Sequence, residues 1–145
     1  MVDPDVIRTR IEHAEEALRR LAVIRARGRE AFLAEWENRD IAERNLQTLI
    51  QAVIDVGNHI VTDAGLGAPV RYADILEKLA RAGVIADDLA SRLVPALGMR
   101  NVLVHEYVKL ETRKVWDAIE DTSAIEEIIA VVTARFLAPG GEATS

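Results

Sequence analysis

The aliphatic residues of this chain recur at helical intervals along two long stretches, and no segment alternates as a strand would. Ile7, Ile11, Ala14, Leu18 and Leu21 form one set, and Ala42, Leu49, Val53, Val56 and Ile60 form another. Side chains turn by ~100° per residue on an α-helix, so each set makes a single stripe. Such stripes must be buried against one another, which points to an all-α, antiparallel up-and-down bundle of four to five helices. With two Phe, two Tyr and two Trp in 145 residues, its core has to be aliphatic.

Stop and start signals divide the chain. Asp3 suits an N-cap and Pro4 the first helical position, while Gly28 suits a stop. A short helix is expected around "EAFLAEW" and a long one from about Asn38 to Ala64, ended by Gly65. "GLGAPV" lacks the flanking strand and following lysine of a phosphate-binding loop and reads as a turn. "ADILEKLARAG" reads as an amphipathic helix. "ADDLASRLVPALGMRNVLVHEYVKL" reads as helical throughout, with a kink near Pro95. A last helix is expected from about Thr112 to Leu137. Residues 1–138 are therefore expected to form one domain and residues 139–145 a disordered tail.

Composition narrows the function. The absence of cysteine excludes disulfides and thiolate metal sites. No apolar run is long enough for a membrane span, and "MVDPDVIRTR" is unlike a signal peptide, so a cytoplasmic protein without a membrane partner is expected. The net charge of −6 argues against broad nucleic-acid binding, DNA included, and leaves room for a small local site for a phosphodiester. Arg19, Arg20, Arg25 and Arg27 read as compensating the dipole at the end of the first helix. Asp55, His59 and Asp63 share a helical face at steps of four, a spacing that suits a divalent ion. No second metal-binding helix is evident, so a hydrogen-bonded Asp–His pair is the reading preferred, with no metal and no cofactor. His13 is expected at solvent, and Arg39, Glu43 and Arg44 in a surface charge network.

The chemistry concentrates in "RNVLVHEY", residues 100–107. On a continuous helix Asn101 and His105 share one stripe, and Arg100 and Tyr107 share its neighbour. Arg100 is a permanent cation able to grip two phosphate oxygens. His105 exchanges a proton near neutrality, and Asn101 is placed to support it. These groups suffice for metal-free RNA cleavage: a base takes the 2′-hydroxyl proton, the oxygen attacks phosphorus, and arginine stabilises the added charge. From spacing alone, a structural histidine remains an alternative.

The pattern Arg–Asn, then His–x–Tyr, resembles the HepT-like family of HEPN-domain proteins. "ERNLQTLIQAVIDVGNHIV" is similar to that family's second long helix, "LGMRNVLVHEY" to its active-site helix and "YADILEKLARAGVIADDLASRLVPAL" to its connecting region. The resemblance runs from about residue 5 to 137. It implies a homodimer with two Arg…His motifs at the interface, forming a ribonuclease site with a 2′,3′-cyclic phosphate product. It also implies a toxin whose cognate antitoxin is a minimal nucleotidyltransferase that attaches AMP to the motif tyrosine. By position this makes Arg100 and His105 catalytic, Asn101 supporting and Tyr107 the AMP acceptor. Asp55 is assigned to the groove border, orienting a group there. The alternative is a non-catalytic subunit that binds nucleotide or substrate for such a transferase.

Overall fold

The computed structural model describes residues 2–105 and 110–137. Among these, seven α-helices follow one another: α1 (Pro4–Ala26), α2 (Arg29–Ala34), α3 (Trp36–Asp63), α4 (Tyr72–Arg81), α5 (Asp87–Val104), α6 (Thr112–Glu120) and α7 (Ser123–Val132), with a π-helical turn over Thr133–Leu137. The all-α bundle expected from the periodicity is what forms. None of these helices is long and apolar enough to cross a membrane.

The first helix starts where its cap predicts. The Asp3 carboxylate accepts a hydrogen bond from the Asp5 N–H at 2.9 Å, and Pro4 follows. Gly28, at φ +94°, then turns the chain into α2. Asn38 locks this corner. Fully buried, it accepts from Arg27 Nη1 at 2.7 Å and donates to the Ala31 carbonyl at 3.1 Å, so the end of α1, α2 and the start of α3 share one polar anchor. Its hydrogen bonds satisfy an amide that would otherwise be costly to bury.

The two long helices pack along their stripes. Ile7, Ile11, Ala14, Leu21 and Ile24 from α1 meet the buried α3 residues Leu46, Leu49, Val53, Val56 and Ile60 in one cluster. Phe32 stacks against Trp116 of α6, with ring centroids 5.3 Å apart. Arg25 reaches over to donate to the Ile119 carbonyl at 3.0 Å, placing a cation at the C-terminal end of α6. Arg27 is the Asn38 partner, and Arg19 and Arg20 pair with Glu16. All four arginines of this region are thus engaged within the bundle.

Two boundaries differ from the sequence reading. The last helix is broken at Asp121–Thr122: the Asp121 carboxylate accepts from the Ser123 N–H at 3.0 Å, and Thr122 donates to Glu126 at 2.7 Å. These are local side-chain bonds that compete with a continuous helix. The hydrogen bonds from Ser123 also hold the Asp121 carboxyl below its usual range. The second difference is at α5, which passes through Pro95 but ends at Val104 instead of running on to Leu110. Beyond it, Arg39 of α3 donates to the Leu110 carbonyl at 2.7 Å and to Thr112 Oγ1 at 3.0 Å, which ties the start of α6 to α3. Arg39 is therefore a half-buried clamp and not part of a surface network. It pairs with Glu43, while Arg44 takes no part. The expected tail, residues 139–145, lies outside the described residues.

α4 crosses α3 closely at Gly57. A Cβ built on this glycine would sit 2.6 Å from Ile75 Cγ2. Alanine is favoured over glycine within a helix by about 1 kcal/mol, but overpacking a core costs about 1–3 kcal/mol. Ile75 is buried and β-branched, so it has little room to yield. Gly57→Ala is expected to lower the stability by about 1–2 kcal/mol in denaturant titration. A raised midpoint would show that α4 moves aside freely.

Candidate functional site

Arg100 lies four residues from the end of α5, and its side chain crosses to α3. Its Nε–H donates to Gln51 Oε1 at 2.9 Å. Gln51 Nε2 donates in turn to Asp55 Oδ1 at 2.8 Å, one turn along α3. Arg10 of α1 stands 3.6 Å from the other oxygen of Asp55. The order of this chain is chemically fixed. A carboxylate only accepts and a guanidinium only donates, so the amide between them must present its NH₂ to Asp55 and its oxygen to Arg100. The Arg10–Asp55 pair is half exposed and long, and contributes little to stability by itself.

The other face of the guanidinium is covered by Tyr72 at the start of α4, with the ring centroid 5.7 Å from Cζ. An arginine over an aromatic ring gains about 0.5–2 kcal/mol, more as water is excluded. Held through Nε and against a ring, the guanidinium makes no other hydrogen bond among the described residues. Its two terminal nitrogens carry the remaining N–H groups of the fork. The N-terminus of α4 is itself pinned by Asp74, whose carboxylate accepts from the Arg71 and Val70 N–H groups at 2.9 and 3.0 Å. Those two backbone bonds hold its carboxyl below the usual range.

His105 occupies the C-cap of α5, exposed, with φ −92° and ψ 103°. It is extended, not helical, so the stripe expected to join it to Asn101 does not exist. The helix delivers the histidine to its tip instead. Asn101 is exposed and borders a separate groove of about 440 Å³ with Val70, Tyr72, Val94 and Gly98. Tyr107 lies outside the described residues.

The Asp55–His59–Asp63 stripe divides. His59 Nδ1 lies 3.2 Å from Asp63 Oδ2, and Nε2 accepts the Asp3 N–H at 3.0 Å. Nε2 thus fastens the N-terminus of α1 to α3, while Nδ1 faces Asp63 within α3. Asp55 turns away to Gln51. No group of three or more His, Cys, Asp or Glu is placed to hold a metal among the described residues. The sequence reading missed Gln51, Tyr72 and Arg10. The Gln51/Asp55 spacing of four residues was the available signal, because such pairs bond on a helix face. Tyr72 and Arg10 reach the site only through tertiary packing.

A family model described as ribonuclease HepT-like matches residues 11–133. The chain belongs to the HepT-like ribonuclease family. It is 30% identical over 118 residues to the tRNA nuclease HepT of Aphanizomenon flos-aquae, covering 81% of this chain and 80% of the relative. It is 28% identical over 132 residues to the mRNA nuclease HepT of Shewanella oneidensis, covering 90% and 98%. A solved structure of a tri-AMPylated Shewanella oneidensis HEPN toxin in complex with MNT antitoxin matches at a TM-score of 0.81 and 28% identity, covering 90% of this chain and 98% of that one. As a HepT-like protein the chain is a ribonuclease, and the Arg100 assembly is the place where its fold organises a cation.

In this HepT-like chain the Nε–H of Arg100 is expected to give a resolved, slowly exchanging proton signal in solution NMR. Gln51→Leu removes the acceptor, so the signal should broaden into exchange with water while stability falls by about 0.5–1.5 kcal/mol. A signal unchanged in Gln51→Leu would mean that another group orients the arginine.

Proposed function

We propose that this chain is an endoribonuclease toxin that cleaves RNA without a metal, with Arg100 and His105 as its catalytic residues. The observation that carries this reading is the Arg100 guanidinium, fixed through Nε on Gln51, with no other hydrogen bond to its two terminal nitrogens among the described residues. Such a fork matches two oxygens of one phosphate. His105, at the exposed tip of the same helix, takes the proton from a ribose 2′-hydroxyl. The 2′-oxygen attacks phosphorus, and Arg100 stabilises the charge that builds on the phosphoryl oxygens. The bond from phosphorus to the 5′-oxygen breaks, and that oxygen receives a proton. The products are a 2′,3′-cyclic phosphate and a 5′-hydroxyl. Asp55 supports the reaction through Gln51, and Asn101 supports it from the neighbouring face of α5.

The relatives named for their RNA act on different classes, tRNA in one and mRNA in the other. The substrate proposed here is accordingly RNA, with no narrower class. The proposal includes a homodimer. Val94 and Gly98 on the motif helix and Val70 before α4 border one groove, and Val70 and Val94, 88% and 46% exposed, offer apolar surface that a second copy would cover. It also includes a nucleotidyltransferase antitoxin that transfers AMP to Tyr107, in keeping with the AMPylated state of the Shewanella toxin. An AMP two residues from His105 brings a fixed negative charge to the site, which repels RNA and competes for Arg100.

Arg100→Ala and His105→Ala are each expected to lower kcat for RNA cleavage by about 10²–10⁴-fold with the fold retained, and to relieve growth arrest. Cleavage by the wild type should persist in EDTA. Full activity in either variant would refute the assignment, and loss on chelation would refute the metal-free mechanism.

Tyr107→Phe removes the acceptor oxygen and keeps the ring. It is expected to cleave RNA normally and gain no mass when incubated with the transferase and ATP, while the wild type gains AMP and loses activity. Neutralisation of the wild type at unchanged mass would show that the partner acts by binding alone.

A further inference from the structure

α1 and α3 leave between them a polar groove of about 230 Å³. Three exposed basic side chains line it, Arg10 and His13 from α1 and Arg44 from α3. The half-buried Gln47 and Gln51 contribute amides between them. Asp55, also in the lining, is already engaged by Gln51 and Arg10. The Arg44 guanidinium and the His13 imidazole have no partner among the described residues, and neither has the Gln47 amide. In a chain of net charge −6, this is a local concentration of unused donors.

The groove leads to the cation of the candidate site. Gln51 lines it and holds Arg100 by the 2.9 Å bond. Arg44 stands seven residues earlier on α3, about 10 Å along the helix. A phosphate at Arg44 is therefore a different phosphate from one gripped by Arg100. The lining contains no Phe, Tyr or Trp. Base stacking on single strands uses aromatic platforms, and the core of a protein interface is enriched in aromatic and apolar groups. This lining suits neither. What it suits is a row of backbone phosphates.

We propose that this groove is a phosphate-binding subsite for the RNA strand leading away from the scissile bond, with Arg44 and His13 holding backbone phosphates and Gln47 donating to the strand between them. The inference rests on RNA being the substrate. With its groups given to the phosphates, the subsite adds affinity for length and not for sequence.

The test is fluorescence anisotropy with a labelled single-stranded RNA that carries 2′-O-methyl groups throughout. This probe keeps the phosphates and blocks 2′-oxygen attack, so affinity is read independently of cleavage. Arg44→Glu is expected to raise Kd about tenfold, Arg44→Gln and His13→Gln about threefold each, with unchanged thermal melting. Arg44→Gln should also reduce the slope of log K against log salt by about 0.7, the value for one phosphate contact on a single strand. Unchanged affinity and slope in Arg44→Glu would overturn the proposal. So would a variant that keeps RNA affinity but loses the transferase complex or the dimer, since the groove would then be a protein interface. The ribonuclease reading fails separately: a wild type that binds this probe with the expected dependence on Arg44, yet leaves unmodified RNA intact, would refute cleavage and support the subsite.

Discussion

α3 is packed by α1, α2, α4, α5 and α6, and burial of its aliphatic residues against them is the constraint from which the rest of the molecule follows. A helix enclosed on most sides has few positions left for polar groups. In the middle of α3 one polar strip runs from Arg44 through Gln47 and Gln51 to Asp55. α1 borders that strip on one side through Arg10, and α5 reaches it from the other through Arg100. The core therefore decides where the polar chemistry goes. Apolar burial has no direction of its own, but once it fixes the helix axes it fixes which side chains can meet.

Arg100 shows how such a placement becomes specific. An arginine on an exposed helix would sample many rotamers and hold phosphate only with a loss of side-chain entropy. Here one donor is spent on Gln51, and the ring of Tyr72 covers one face. Gln51 can serve only because Asp55 fixes which end of its amide points to the arginine. Asp55 in turn is balanced by Arg10 from a different helix. Each member sets the next, and this coupling is the reason that polar chains behave as units and not as sums of pairs.

Side-chain contacts also mark where helices end. α5 stops at Val104 with His105 extended and exposed at its tip, and Arg39 ties Leu110 and Thr112 to α3 just beyond. The last helix breaks where Asp121 and Thr122 bond their own neighbours.

By itself the sequence determined the all-α fold, the start of α1 at Asp3 and Pro4, the two long stripes and the residues of the Arg–Asn…His–x–Tyr motif. Each of these is local: a period, a cap or a run of residue types, written in the chain at short range. The motif also carried the resemblance to the HepT-like family, which its family match established. The tertiary structure alone decided that Gln51 and Tyr72 hold Arg100, that Asp55 serves Gln51 and not His59, that Arg39 ties Leu110 to α3, and that Arg10, His13 and Arg44 share one groove. These pairings join residues from different helices, and a one-dimensional period is silent about which stripe faces which. Only the packing of the aliphatic faces sets that geometry, and the polar contacts form where it leaves them room.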